Sequence, residues 1–216
     1  MNLYEYLVEK YGYNEPIISN RITFGSYSRP WILKELNKLC DEQKIIRYEK
    51  GIYYIPTETV FGKSVLNPRK AIEKKYIVDD DKQMGYYSGL IWLNQLGIST
   101  QMPNVIEIFT NNEASNARTV TTGKQKIILR KARTVIDNTN VFVLSFLELM
   151  NSVTPAFFDE EKVEIIKNFI KDKKITQNDI SKYAKFFPEK VFKNLVESGV
   201  IYSVTQWQRT IWAISF

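Results

Sequence analysis

The chain has 216 residues, 44% of them hydrophobic and 25% charged, proportions that suit a soluble globular protein of one large domain or two small ones. It holds no histidine and one cysteine, Cys40. This rules out Ser-His-Asp and Cys-His catalysis, histidine-ligated metals, an intrachain disulfide and a thiolate zinc cluster. Thirty Lys and Arg against 24 Asp and Glu leave a net charge of +6, which favours encounter with polyanions; 13 basic and only 9 acidic residues fall in positions 1–76.

Residues 1–10 carry two glutamates and no apolar core of a signal peptide, and no stretch approaches the roughly 20 apolar residues of a membrane span. With a free cysteine, this predicts a cytoplasmic protein with no membrane association. Leu3, Tyr4, Leu7, Val8 and Tyr11 then recur at helical spacing, and Gly12 stops the helix. Pro16-Ile17-Ile18 reads either as a short extended piece or as the start of a brief helix over residues 19–23. The clearest helix follows: Ser28 is a suitable N-cap, Pro30 fits the first turn, and Ile32, Leu36, Leu39 and Cys40 form one apolar stripe. Ile45–Tyr48 and Ile52–Ile55 are two β-rich runs around Glu49-Lys50-Gly51, a hairpin that Pro56 ends.

Helix, short turn element, helix and two-stranded hairpin is the order of a winged helix-turn-helix, in which the last helix enters the major groove of double-stranded DNA and the hairpin reaches the backbone. A helical wheel sets Trp31, Lys34 and Lys38 opposite the apolar stripe, facing outward. Ser26, Tyr27, Ser28 and Arg29 cluster at the helix N-terminus, where unpaired N–H groups favour phosphate, and Arg47 and Lys50 fall on the wing. Other readings stand beside this one. Lys34 and Lys38 also suit the solvated face of an amphipathic helix, Trp31 can plug against the first helix, and Tyr53 and Tyr54 read as packing residues.

Farther on, Asn67-Pro68 starts a helix through Tyr76, and Asp79-Asp80-Asp81 breaks it as an acidic turn, which reads as solvated and, secondarily, as able to bind a cation. Residues 88–96 read as a helix capped by Gly97, residues 104–110, 118–122 and 126–131 as strands, and residues 140–150 as an apolar helix. Arg118, Lys124, Lys126, Arg130, Lys131 and Arg133 form a run with no acidic residue. It fits a nucleic-acid backbone, or the charged and protected edge of a sheet. Three helical stripes follow residue 155, with starts at Thr176 and Pro188 and a stop at Gly199, either packed on the middle sheet or forming a subdomain. Residues 200–205 and 210–216 read as β-like. No phosphate-binding loop is present, the carboxylate-x-Lys matches fall on charged helix surfaces, and Cys40 belongs to an apolar stripe. Nothing assembles into a catalytic or metal site, and no cofactor is expected.

Two local patterns resemble a known family. Lys50-Gly51-Ile52-Tyr53-Tyr54-Ile55-Pro56 resembles the wing that ends the N-terminal domain of AbiEi-type antitoxins, and residues 87–101, YSGLIWLNQLGISTQ, resemble the segment that opens their C-terminal domain. The resemblance covers most of residues 1–150. It implies an antitoxin of a type IV toxin–antitoxin pair: a transcriptional autoregulator that binds inverted repeats upstream of its operon. Such a protein counters a nucleotidyltransferase-like toxin without forming a stable complex with it. By position, the DNA contacts come from residues 27–38 and 47–50; the segment 16–24 departs from the family in being short and β-rich where a clear second helix is usual.

The expected fold is α+β, with a winged helix-turn-helix domain over residues 1–62 and a mixed α/β domain with a helical tail over residues 63–216. The expected function is that of a non-enzymatic, DNA-binding transcriptional regulator. The alternatives are a metal-dependent nuclease, which needs carboxylates converging near Glu107 or Glu113, and a protein-interaction module built on a winged fold.

Overall fold

A computed structural model describes residues 1–101, 103–202 and 204. The fold is mixed α+β and divides into two compact units. The first comprises Met1–Asp80 with Thr121–Gln125, and the second Asp81–Val120 with the described residues from Lys126 onward. The first unit therefore runs past the residue 62 boundary read from the sequence.

In the first unit, α1 (Leu3–Tyr11) opens with a reciprocal cap. The Asn2 side chain accepts from the Glu5 N–H at 2.9 Å, and the Asn2 N–H donates to the Glu5 carboxylate at 2.9 Å. Gly12, at φ 75°, ends it. The ambiguous segment after it resolves into both of its readings in miniature: β1 (Ile17–Ile18), then one 3-10 turn (Ser19–Arg21). Next, α2 (Arg29–Asp41) buries Ile32, Leu36 and Leu39, whose spacing places them on one face.

The strands β2 (Ile46–Glu49) and β3 (Ile52–Tyr54) form the expected hairpin, with a bulge between Arg47 and Glu49. β3 also pairs antiparallel with β1, so the sheet order is β1-β3-β2. Leu3, Leu7, Ile17, Ile32, Leu36 and Tyr53 meet in one apolar core, and Ile18, Ile52, Tyr54, Leu66 and Ala71 in a second. Burial of Tyr53 and Tyr54 accords with their reading as packing residues.

A second, shorter hairpin of β4 (Glu58–Thr59) and β5 (Gly62–Lys63) follows, then α3 (Pro68–Tyr76), capped by Asn67, and β6 (Val78–Asp79). The Arg21 guanidinium donates to the carbonyl oxygens of Lys74 and Lys75 and pairs with Asp79 at 3.1 Å. An arginine brought from far along the chain thus satisfies the C-terminal carbonyls of α3.

The second unit holds β7 (Lys82–Gln83), β8 (Gly85–Ser88), α4 (Gly89–Gln95), β9 (Val105–Thr110) and most of β10 (Ala117–Thr122) and β11 (Gln125–Lys131), whose turn ends, Thr121, Thr122 and Gln125, belong to the first. Four of these strands form a sheet in the order β10-β11-β9-β8. β9 and β11 are parallel from Val105↔Lys126 to Thr110↔Lys131, and β8 is antiparallel to β9. Helix α5 (Val141–Ser152) is buried without a break from Val143 to Met150, which marks it as the central helix.

The tail helices α6 (Glu160–Asp172), α7 (Gln177–Ala184) and α8 (Lys190–Glu197) send Ile166, Ile170, Ile180, Val191 and Leu195 into the same core as Tyr86 and Phe109 of the sheet. They pack with the middle sheet and do not form a separate subdomain. The β-like reading of residues 200–205 is corrected: Val200–Tyr202 are helical. Val200 and Val204, both fully buried, lie one helical turn apart, a spacing of four that in so short a run reads equally as alternation. The remaining residues of that run, and residues 210–216, lie outside the described residues.

Candidate nucleic-acid interface

Helix α2 and the β2–β3 hairpin carry the residues singled out from the sequence. Ser28 occupies the N-cap position in extended geometry, and its carbonyl accepts from the Ile32 N–H at 3.1 Å, but its hydroxyl makes no capping hydrogen bond. Pro30 has no N–H to satisfy, so the first turn of α2 presents its remaining donors without a side-chain cap. Ser26, Tyr27, Ser28 and Arg29 are all exposed there.

Lys34 and Lys38 are exposed on the face opposite Ile32, Leu36 and Leu39, as the wheel predicts. Trp31 is not free on that face. It is half-buried and stacks on Tyr27 with ring centroids 4.0 Å apart, with Phe24 6.2 Å away. Tyr6 of α1 reaches Phe24 at 5.1 Å, so Trp31 belongs to an aromatic stack that braces the entrance to α2. The wheel gives its angle but not its neighbours, and of the two sequence readings packing is the one observed. Tyr27 stacks on Trp31 and on Phe24, whose centroid lies 5.4 Å away, and remains 53% exposed.

On the hairpin, Arg47 and Lys50 are exposed. The charge arrangement separates these groups from the basic residues of α3. On α3, Lys75 pairs with Glu49 at 2.8 Å, Arg69 with Glu73 at 3.0 Å, Lys74 with Asp80 at 2.6 Å, and Lys70 with Glu15. The acidic turn read as solvated is therefore engaged by Lys74 and Arg21. By contrast Arg29, Lys34, Arg47 and Lys50 hold no ion pair among the described residues. Lys38 has only a solvent-exposed contact with Glu35 at 3.3 Å, which is worth little.

The three arginines of the basic run 118–133 are each neutralised. Arg118 on the edge strand β10 pairs with Glu113 at 2.8 Å, Arg130 with Glu107, and Arg133 with Glu148 at 2.7 and 3.1 Å. Lys124, Lys126 and Lys131 are exposed. Glu107 and Glu113, the carboxylates a nuclease would need together, are each claimed by a different arginine, and no group of three metal-ligating side chains occurs among the described residues. Cys40 is half-buried, and burial pushes its thiol up, away from nucleophilic character.

Sequence reasoning missed the β4–β5 hairpin. Its turn holds Val60 and Phe61, 94% and 98% exposed, while its base is fixed by polar contacts. The Thr57 N–H donates to Ser64 Oγ at 2.9 Å, Tyr54 Oη to the Ser64 carbonyl at 3.0 Å, and Lys63 Nζ to the Gln43 carbonyl at 2.7 Å. The available signal was Gly62, which sits at φ 97° and closes the two-residue turn. Among the described residues no helix is long and apolar enough to cross a membrane. The family model described as "Family of unknown function (DUF6088)" matches residues 17–179. No curated protein and no solved structure matches the chain.

Proposed function

The chain belongs to DUF6088, a family of unknown function, and we propose that it is a cytoplasmic, non-enzymatic regulator whose first unit binds double-stranded DNA as a winged helix-turn-helix. The observation that carries this reading is the sorting of charge. Arg29 and Lys34 on α2, with Arg47 and Lys50 on the hairpin, are exposed and without carboxylate partners among the described residues, whereas the four basic residues of α3 are each paired. Unpaired cations on a helix face and a β-ribbon suit major-groove entry with backbone anchoring.

The resemblance of residues 50–56 and 87–101 to AbiEi-type antitoxins supports a narrower role, autoregulation at operon inverted repeats beside a nucleotidyltransferase-like toxin that the protein counters without a stable complex. The test is a gel-shift titration on the DNA upstream of the protein's own gene. K34A/K38A is expected to weaken binding by about 1–3 kcal/mol if either side chain reads a base. R47A and K50A are each expected to lower the salt dependence by about one unit for every phosphate that is no longer neutralised. Affinity and salt slope identical to the parent in all three variants would remove this face from DNA recognition. The antitoxin role is tested by co-expression with the product of the neighbouring gene, where rescue from toxicity is the expected result.

A second reading, docking of a protein partner, is favoured by Val60 and Phe61 at the hairpin tip. V60S/F61S tests it: loss of partner capture with the gel shift retained assigns the tip to protein docking, and capture unchanged in the variant removes the tip from it.

A further inference from the structure

We propose that the second unit carries a binding site for a nucleoside phosphate, in a cavity of about 700 Å³ between the sheet and helices α5 and α8. Its floor is built from two carboxylates, each fixed by an arginine. Glu148, 5% exposed, accepts from Arg133 Nε at 2.7 Å and Nη2 at 3.1 Å, and from Asn151 Nδ2 at 2.7 Å. Glu107 on β9 pairs with Arg130 on the parallel strand β11. The Arg133 guanidinium lies 4.9 Å from the ring of Phe187 and 5.7 Å from that of Phe109, so packing as well as charge holds it.

Charge selects the ligand. The two glutamates are balanced by Arg130 and Arg133, which leaves Lys131 and Lys190 as the surplus; both are exposed at the cavity and neither holds an ion pair among the described residues. A site with two spare ammonium groups favours an anion. The cavity has room for more than a bare oxyanion. The volume is in the range of roughly 300–1,000 Å³ that accepts a cofactor-sized molecule. Asn151 Oδ1 is buried there with no donor among the described residues, and the Ser88 hydroxyl, at the start of α4, makes no capping bond.

A ligand that suits these groups carries phosphate for the lysines and N–H or O–H donors for the amide and carboxylate oxygens. A nucleoside phosphate has all of these, and its base can lie on the guanidinium plane of Arg130. This inference stands apart from the DNA-binding reading, because none of its residues lies in the first unit.

The experiment is titration calorimetry on the full chain with AMP, GMP, CMP and UMP, and with adenosine and sodium phosphate as controls. At least one nucleotide is expected to bind with Kd below about 1 mM, and at least about tenfold more tightly than either control. K131A/K190A, two exposed positions whose loss leaves the fold intact, should weaken that binding by at least about tenfold. K34A/K38A should leave it unchanged, which separates failure of this site from failure of the DNA interface. N151D, which keeps the shape and adds a negative charge, should weaken binding as well. Absence of nucleotide binding, phosphate binding as tightly as a nucleotide, or affinity unmoved in K131A/K190A would each overturn the proposal.

Discussion

Glu113 shows how a single carboxylate can make stability depend on pH. Burial alone would push its pKa up, but hydrogen bonds from the Ser115 hydroxyl at 2.6 Å and N–H at 3.0 Å, with Arg118 at 2.8 Å, hold it down to about 2 against the usual 4.5. A carboxylate whose pKa is lower folded than unfolded stabilises the fold fully above the unfolded value and loses that contribution as pH falls toward the folded one. The chain is therefore expected to lose stability as pH drops from about 4.5 to about 2. E113Q should flatten that part of the profile in urea melts. An unchanged slope in the variant would assign the acid sensitivity to other carboxylates. This residue also marks what the sequence could not convey. The run from Arg118 to Arg133 reads as uninterrupted positive charge, yet Glu113, Glu107 and Glu148 come from outside it to neutralise three of its arginines. Such pairs become visible only once strands and helices lie side by side.

Elements with explicit punctuation were legible at their ends. Thr176 opens α7 with a reciprocal cap, its hydroxyl accepting from the Asp179 N–H at 3.1 Å while its own N–H donates to the Asp179 carboxylate at 2.9 Å. T176A is expected to cost about 1 kcal/mol in a chemical melt, the usual loss for a removed N-cap. The β10–β11 turn is governed by Gly123, at φ 60°, a conformation that L-residues seldom adopt. A Cβ there would also run into the Tyr48 hydroxyl. G123A should therefore lower the melting temperature, and Y48F should recover part of the loss by removing the obstructing oxygen; equal destabilisation with and without Y48F would leave backbone strain as the whole cause. Less legible were the elements too short for a periodic signal. A two-residue strand such as β1 or β4 carries no alternation, and one 3-10 turn carries no apolar stripe.

For the molecule as a whole, the class α+β and the order of the main elements were readable, because helical and strand periods alternate cleanly along the chain. The extent of the first unit was not. Pro56 closes the β2–β3 hairpin and suggests an ending, but Leu66 and Ala71 pack on Ile18, Ile52 and Tyr54, and Arg21 secures the far end of α3. A fragment ending at residue 62 strips that cover from three buried side chains. It is expected to lose its cooperative thermal transition by circular dichroism, and a sharp melt equal to that of the full chain would show that α3 adds nothing to the unit.

The placement of β11 between β9 and β10 sets the timetable of synthesis. As the polypeptide leaves the ribosome, Val105–Thr110 can pair with Gly85–Ser88 on one side only, since its other neighbour, Gln125–Lys131, has yet to be made. During that interval a row of amide and carbonyl groups stands bare beside the apolar Ile106 and Ile108, an invitation to foreign strands. The closing ribbon folds locally about its tight bend and must then arrive as a ready-made pair. Nascent chains stalled short of Lys131 are for that reason expected to aggregate more readily than the full chain, as pelleting of released chains would show.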